Sequence, residues 1–133
     1  DLDFSNETVN DTQKKIVAVA TNSAKYGISA RSGYCQAWVA DVYQAVTGSR
    51  GSAHCALCAV DMWAVSSDFS QIPVGATVYG YSSSQYGHVG IYIGNGMVAH
   101  NIGEIKIQSL ESWVKNYKGF AWGWENGNTL IKE

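Results

Sequence analysis

Three residues of this chain have the types and spacing that nucleophilic acyl transfer needs: Cys35, His88 and His100. A thiolate attacks carbonyl carbon, but it requires a base to take its proton and a third group to hold that base in one tautomer. Cys35 opens an apolar stripe in which Trp38, Val39, Val42, Tyr43 and Val46 recur at helical spacing, and Gly48 closes it. A thiol in that first turn faces unpaired N–H groups and the positive pole of the helix, which predicts a lowered pKa. His88 follows Gly87 and starts the run His88-Val89-Gly90-Ile91-Tyr92-Ile93, so its imidazole is expected at a strand end that borders a cleft.

Whether His100 can serve as the third group depends on register across Gly94-Asn95-Gly96. A two-residue loop pairing Gly94 with Met97 sets His100 opposite Ile91, on the wrong face. A three-residue loop with a glycine bulge sets Ile93 opposite Met97 and His100 opposite Gly90, diagonal to His88 on one face. The second register unites the histidines, and it turns Asn101, the alternative third residue, to the other face.

The elements that must position these residues are legible in outline. Asn10 caps a first amphipathic helix, with Gln13 as its capping-box partner and Ile16, Val17, Ala20 and Ala24 on the apolar side. The stripe from Cys35 gives a second helix, and Ala53 to Val65 reads as a third. From Val74 the period changes to two, through Val74, Ala76 and Val78, then Val89, Ile91 and Ile93, then Val98, then Ile105 and Ile107. A short helix capped by Ser109 carries Leu110, Trp113, Val114 and Tyr117, and Phe120, Trp122 and Trp124 alternate as a closing strand. Ser82 to Ser84 reads as a polar turn. Helices first and antiparallel strands after them describe an α+β fold, one domain over residues 1–133.

At these residues the sequence resembles the NlpC-type cell-wall cysteine peptidases. The resemblance spans about residues 26–101 and rests on three features: Cys35 at a helix start, Ile72-Pro73-Val74-Gly75-Ala76-Thr77-Val78-Tyr79-Gly80, and above all Gly87-His88-Val89-Gly90-Ile91-Tyr92-Ile93-Gly94-Asn95-Gly96 followed by Val98-Ala99-His100. It implies a papain-like α+β fold, N-terminal helices on a central antiparallel sheet. Cys35 is then the nucleophile, His88 the base and His100 the polar third residue. The implied substrate is a peptidoglycan stem peptide, cleaved after D-glutamate. The family usually has Asp before the nucleophile and Ser-Gly after it, whereas this chain reads Gly33-Tyr34-Cys35-Gln36-Ala37-Trp38. That order is closer to the related CHAP amidases and endopeptidases. Tyr26 corresponds to the family's cleft tyrosine and is the side chain named, with the Cys35 N–H, for the oxyanion.

Composition bounds the alternatives. A net charge of −2 supplies no basic field for nucleic acid, and no apolar run approaches the roughly 18 to 20 residues that span a bilayer. The chain begins at Asp1 with no basic and apolar leader, which is expected of a processed mature chain or an excised domain. The expectation is a secreted monomer of the cell wall or of phage origin, working without metal or organic cofactor. Its rivals are a muramoyl-L-alanine amidase using the same residues, a non-catalytic wall-binding module, and a thiol oxidoreductase built on Cys55 and Cys58. His54-Cys55-x-x-Cys58 lacks a convincing fourth zinc ligand and a βαβ context, so core packing or a local disulfide is its plainer reading. Trp122 and Trp124 are read as core rather than a glycan cleft.

Overall fold

The computed structural model describes residues 9–51, 56–81 and 87–125. His54, Cys55 and the Ser82 to Ser84 turn lie outside them. Helix α1 (Asp11–Thr21) starts as expected: the Asn10 side chain accepts from Gln13 N at 2.8 Å, and Gln13 Oε1 accepts from Asn10 N at 2.7 Å. A 3-10 turn (Ser23–Tyr26) ends at Gly27, and α2 (Cys35–Thr47) ends at Gly48, whose φ of 78° only glycine adopts cheaply.

Helix α3 (Ala56–Trp63) is shorter than its sequence pattern. Ala64 and Val65 leave it for strand β1 (Ala64–Ser66), a strand the pattern did not announce. The cause is tertiary: Ala64 pairs with Gly123, where an added Cβ would lie 2.1 Å from the Trp63 carbonyl oxygen. The backbones approach so closely that the sheet, rather than another helical turn, takes up the polar groups there.

The remaining strands are β2 (Thr77–Tyr81), β3 (His88–Gly94), β4 (Met97–Asn101), β5 (Ile105–Ser109) and β6 (Gly119–Gly123), with helix α4 (Leu110–Val114) between the last two. All pair antiparallel, in the order β1-β6-β2-β3-β4-β5. The first alternation begins later than expected. Pro73 and Gly75 hold Val74 and Ala76 in a turn, so the strand starts at Thr77, although both side chains remain buried.

The core lies between the helices and this sheet. From α2, Trp38, Val39, Val42 and Tyr43 are buried, and the Tyr43 hydroxyl donates to Gly75 O. From α1, Gln13 Nε2 donates to Val74 O at 2.9 Å, so the capping residue also ties its helix to the turn before β2. Trp122 and Trp124 are buried edge to face at 6.4 Å, as core residues. Among the described residues no helix is long and apolar enough to cross a membrane.

Candidate active site

The β3–β4 hairpin decides the site. Asn95 and Gly96, with φ of 54° and 73°, form a two-residue turn of the I′ kind, and Gly94 opposes Met97. That turn alone would separate the histidines. The ladder shifts between Tyr92 and Gly94, however, and the extra residue Ile93 restores Tyr92 opposite Val98 and Gly90 opposite His100. The register that unites the histidines is therefore reached with Gly94, not Ile93, opposite Met97. The bulge lies in the strand, before the loop.

His88 Nε2 and His100 Nδ1 are 2.8 Å apart. The glycine between them in register is needed: a Cβ on Gly90 would stand 2.7 Å from Val98 Cγ1 and 3.1 Å from His100 Cβ. His100 Nε2 in turn meets Gln108 Oε1 at 2.9 Å. Trp113 of α4 packs on both imidazoles, tilted against His88 at 6.0 Å and edge-on to His100 at 6.1 Å. Tyr117 stacks on His88 at 6.5 Å and lies over Gly80, where a Cβ would come within 2.4 Å of its ring. Trp113 of α4 and Tyr117, which the sequence reading places in the same helix but which lies beyond its end at Val114, thus clamp the histidine pair.

Cys35 is the first residue of α2, behind the cap residue Tyr34. The backbone groups of Val89, Gln36 and Cys35 itself hydrogen-bond the sulfur and favour the thiolate, as the helix-start argument requires. The net shift is nevertheless the reverse of the sequence expectation. Burial of the thiol outweighs those three contacts and raises its pKa. His88 moves the opposite way, down to about 4, because it is buried and neighbours His100. Burial also lowers His100, against the Gln108 hydrogen bond. Burial thus favours the uncharged forms of the thiol and of both imidazoles. The sulfur is placed by its contact to the Val89 backbone, the residue next to His88.

Asn101 does face away from the histidines. Its amide donates to Arg31 O at 2.8 Å and Tyr34 O at 3.4 Å, and its Oδ1 accepts from Gly103 N at 2.9 Å. It clips the 31–34 loop that delivers Cys35, a role that strand parity alone does not announce. Gln36 is committed elsewhere: its Nε2 donates to Glu125 Oε1 at 2.8 Å, inside the protein. Tyr26 is 46% exposed on the 3-10 turn, and among the described residues no hydrogen bond or ring contact joins it to Cys35 or the histidines.

Cys35 is a free thiol, whereas Cys58 is disulfide-bonded, in line with the disulfide reading of its motif. Among the described residues no group of three or more His, Cys, Asp or Glu side chains could hold a metal ion.

A helix that starts at a cysteine, set against an antiparallel sheet with a histidine pair at the sheet end, is a papain-like α+β arrangement. The chain matches no protein-family model and none of the curated proteins. Among solved structures it is similar to the NlpC/p60 domain of the peptidoglycan hydrolase SagA, at 25% identity and a TM-score of 0.60, over 85% of this chain and 97% of that one. It is also similar to an NLP/P60-family protein of Staphylococcus aureus subsp. aureus Mu50 described as similar to a lipoprotein, at 18% identity and a TM-score of 0.64. That match covers 93% of this chain but 45% of the other. The NlpC-type resemblance read from the sequence holds in three dimensions.

Proposed function

We propose that this chain is a peptidoglycan hydrolase, a cysteine endopeptidase that cuts the stem peptide after D-glutamate. The observation that carries the reading is the Cys35 sulfur bonded to the Val89 backbone beside a hydrogen-bonded His88–His100 pair. Because His88 Nε2 is engaged with His100, Nδ1 is its free nitrogen for the thiol proton. In this reading His88 Nδ1 takes that proton as the sulfur attacks the scissile carbonyl carbon. The tetrahedral oxyanion is met by the Cys35 N–H, with the Tyr26 hydroxyl as the proposed second donor. The imidazolium returns its proton to the leaving amine, giving a thioester. Water, deprotonated by His88, then hydrolyses the thioester and restores the thiol.

The stem peptide as substrate is what the NlpC-type resemblance implies, and a solved relative named as a peptidoglycan hydrolase supports the coarser substrate class. A second reading, the amidase that cuts between lactyl group and L-alanine, is favoured by Tyr34 standing where the endopeptidases carry an acid. Tyr34 is 50% exposed, with the Arg31 guanidinium 4.2 Å over its ring. The protein is taken to act as a secreted monomer at the cell wall.

Mass spectrometry of soluble fragments from purified peptidoglycan, digested at neutral pH with EDTA present, tests both readings. Released peptides that begin at the residue after D-glutamate are expected, the part ending in D-glutamate staying on the glycan. Intact stem peptides freed from glycan would replace the endopeptidase by the amidase, and no fragments would end the hydrolase reading for this substrate.

Burial of Cys35 and His88 predicts an unusual pH profile. Activity needs His88 unprotonated, so the acid limb of kcat/KM should fall near the His88 value of about 4 rather than near 6.5. The alkaline limb should lie above the ordinary thiol range, since burial raises Cys35. A profile of initial rates from pH 3 to 10 checks this. An acid limb at 6 to 7 would mean that His88 titrates as an ordinary imidazole.

A further inference from the structure

We propose that Gln108 is a positioning residue that sets the tautomer of both histidines through a one-way chain of hydrogen bonds. The proposal rests on the reading of Cys35 and His88 as the reacting pair, and it concerns a residue outside the expected triad. Gln108 pairs with Val98 in the β4–β5 ladder, two residues from His100 on the same face, next to Lys106. Its Oε1 stands 2.9 Å from His100 Nε2, and its Nε2 donates to Ser112 Oγ at 3.3 Å. Ser112 is itself fixed in the first turn of α4, where its N–H donates to Ser109 Oγ at 3.1 Å.

An amide oxygen only accepts, so His100 Nε2 must carry a proton. Neutral His100 then has a bare Nδ1, which accepts from His88 Nε2 at 2.8 Å. Neutral His88 is left with a bare Nδ1, the lone pair a general base needs. Reversing the amide of Gln108 would reverse every step and leave His88 with an N–H on Nδ1, unable to take a proton. The side chain acts through His100 and never touches the reacting atoms.

Two measurements test the chain, and one needs no substrate. Long-range proton–nitrogen NMR spectra of histidine-labelled wild-type protein at pH 7 should show both His88 and His100 protonated at Nε2. In Gln108→Met, of similar size but without the acceptor, the His100 tautomer should become mixed. Its kcat should fall on the order of 10- to 100-fold, the size typical when a partner orienting a metal-bound imidazole is lost. KM should stay unchanged. Gln108→Glu keeps an accepting oxygen and should restore most of kcat. Nδ1 protonation of His100 in the wild type, or a Gln108→Met protein with wild-type tautomers and kcat, would overturn the proposal. Alkylation of Cys35 by iodoacetamide, slowed in Gln108→Met and restored in Gln108→Glu, reads the same base without peptidoglycan. An inactive wild type with the expected tautomers and alkylation pattern would therefore count against the substrate and not against Gln108.

Discussion

Replacing Cys35 by alanine is expected to abolish fragment release from peptidoglycan, a loss of at least about 10^4-fold in kcat. The residue provides the only atom that forms a covalent bond in the proposed reaction, so nothing in the site can substitute for it. His88→Ala should be nearly as damaging, and the double variant should be no worse than either alone, because nucleophile and base act as one unit. That non-additivity separates the triad from a set of independent binding contacts. Both variants should stay folded by near-ultraviolet circular dichroism, since Cys35 sits at a helix start and packs only partly into the core. Residual release by Cys35→Ala at more than a hundredth of the wild-type rate would remove Cys35 from the role of nucleophile. Wall binding unchanged by the substitution, with no product from either protein, would favour the binding module.

The second large effect is on stability. Glu125 is fully buried, with Oε1 accepting from Gln36 and Oε2 without a hydrogen-bond partner among the described residues. Burial pushes its pKa from 4.5 to about 7, although the Gln36 hydrogen bond and the charge of Arg50 pull it down. The unfolded chain releases this proton near 4.5 and the folded protein near 7. Between those values the folded state holds a proton the unfolded state has lost, so stability falls as pH rises through that window. The total is about 3 kcal/mol at 1.36 kcal/mol per pKa unit. Glu125→Gln mimics the protonated acid. It is expected to stabilise the protein by roughly that amount at pH 8 and by little at pH 4.5, measured by urea denaturation at the two pH values. Equal effects at both would show that Glu125 does not titrate within the folded protein. His88 has the opposite sign: its depressed value adds stability that is lost as pH falls from 6.5 toward 4. The two slopes oppose one another in the wild type, and Glu125→Gln should expose the histidine slope alone.

Much of the site was legible because its logic is local or periodic. Asn10 and Gln13 are three residues apart, Cys35 heads a clean stripe closed by Gly48, and strand parity left two registers, one of which joins His100 to His88 and turns Asn101 away. The parts that escaped depend on tertiary encounters. Gln36 meets a partner 89 residues later, with no pattern to announce it. Gln108 differs from any polar strand residue only by lying two places along from Lys106, the partner of His100. The thiol pKa was misjudged in direction because helix position is written in the sequence, whereas the depth at which the helix start is buried is not. Strand β1 escaped because Gly123, far along the chain, admits its backbone.

The bulge at Ile93 ties the face of His100 to turn and bulge together, not to the number of residues alone. A ladder run without the bulge from the same Asn95-Gly96 turn, over the same twelve residues, would set His100 opposite Ile91 and carry it to the other side of the sheet. A chain lacking Ile93 and its bulge would keep Gly90 opposite His100 at a spacing of eleven. The count between the two histidines therefore does not tell whether they meet, and the pairing of the strands does.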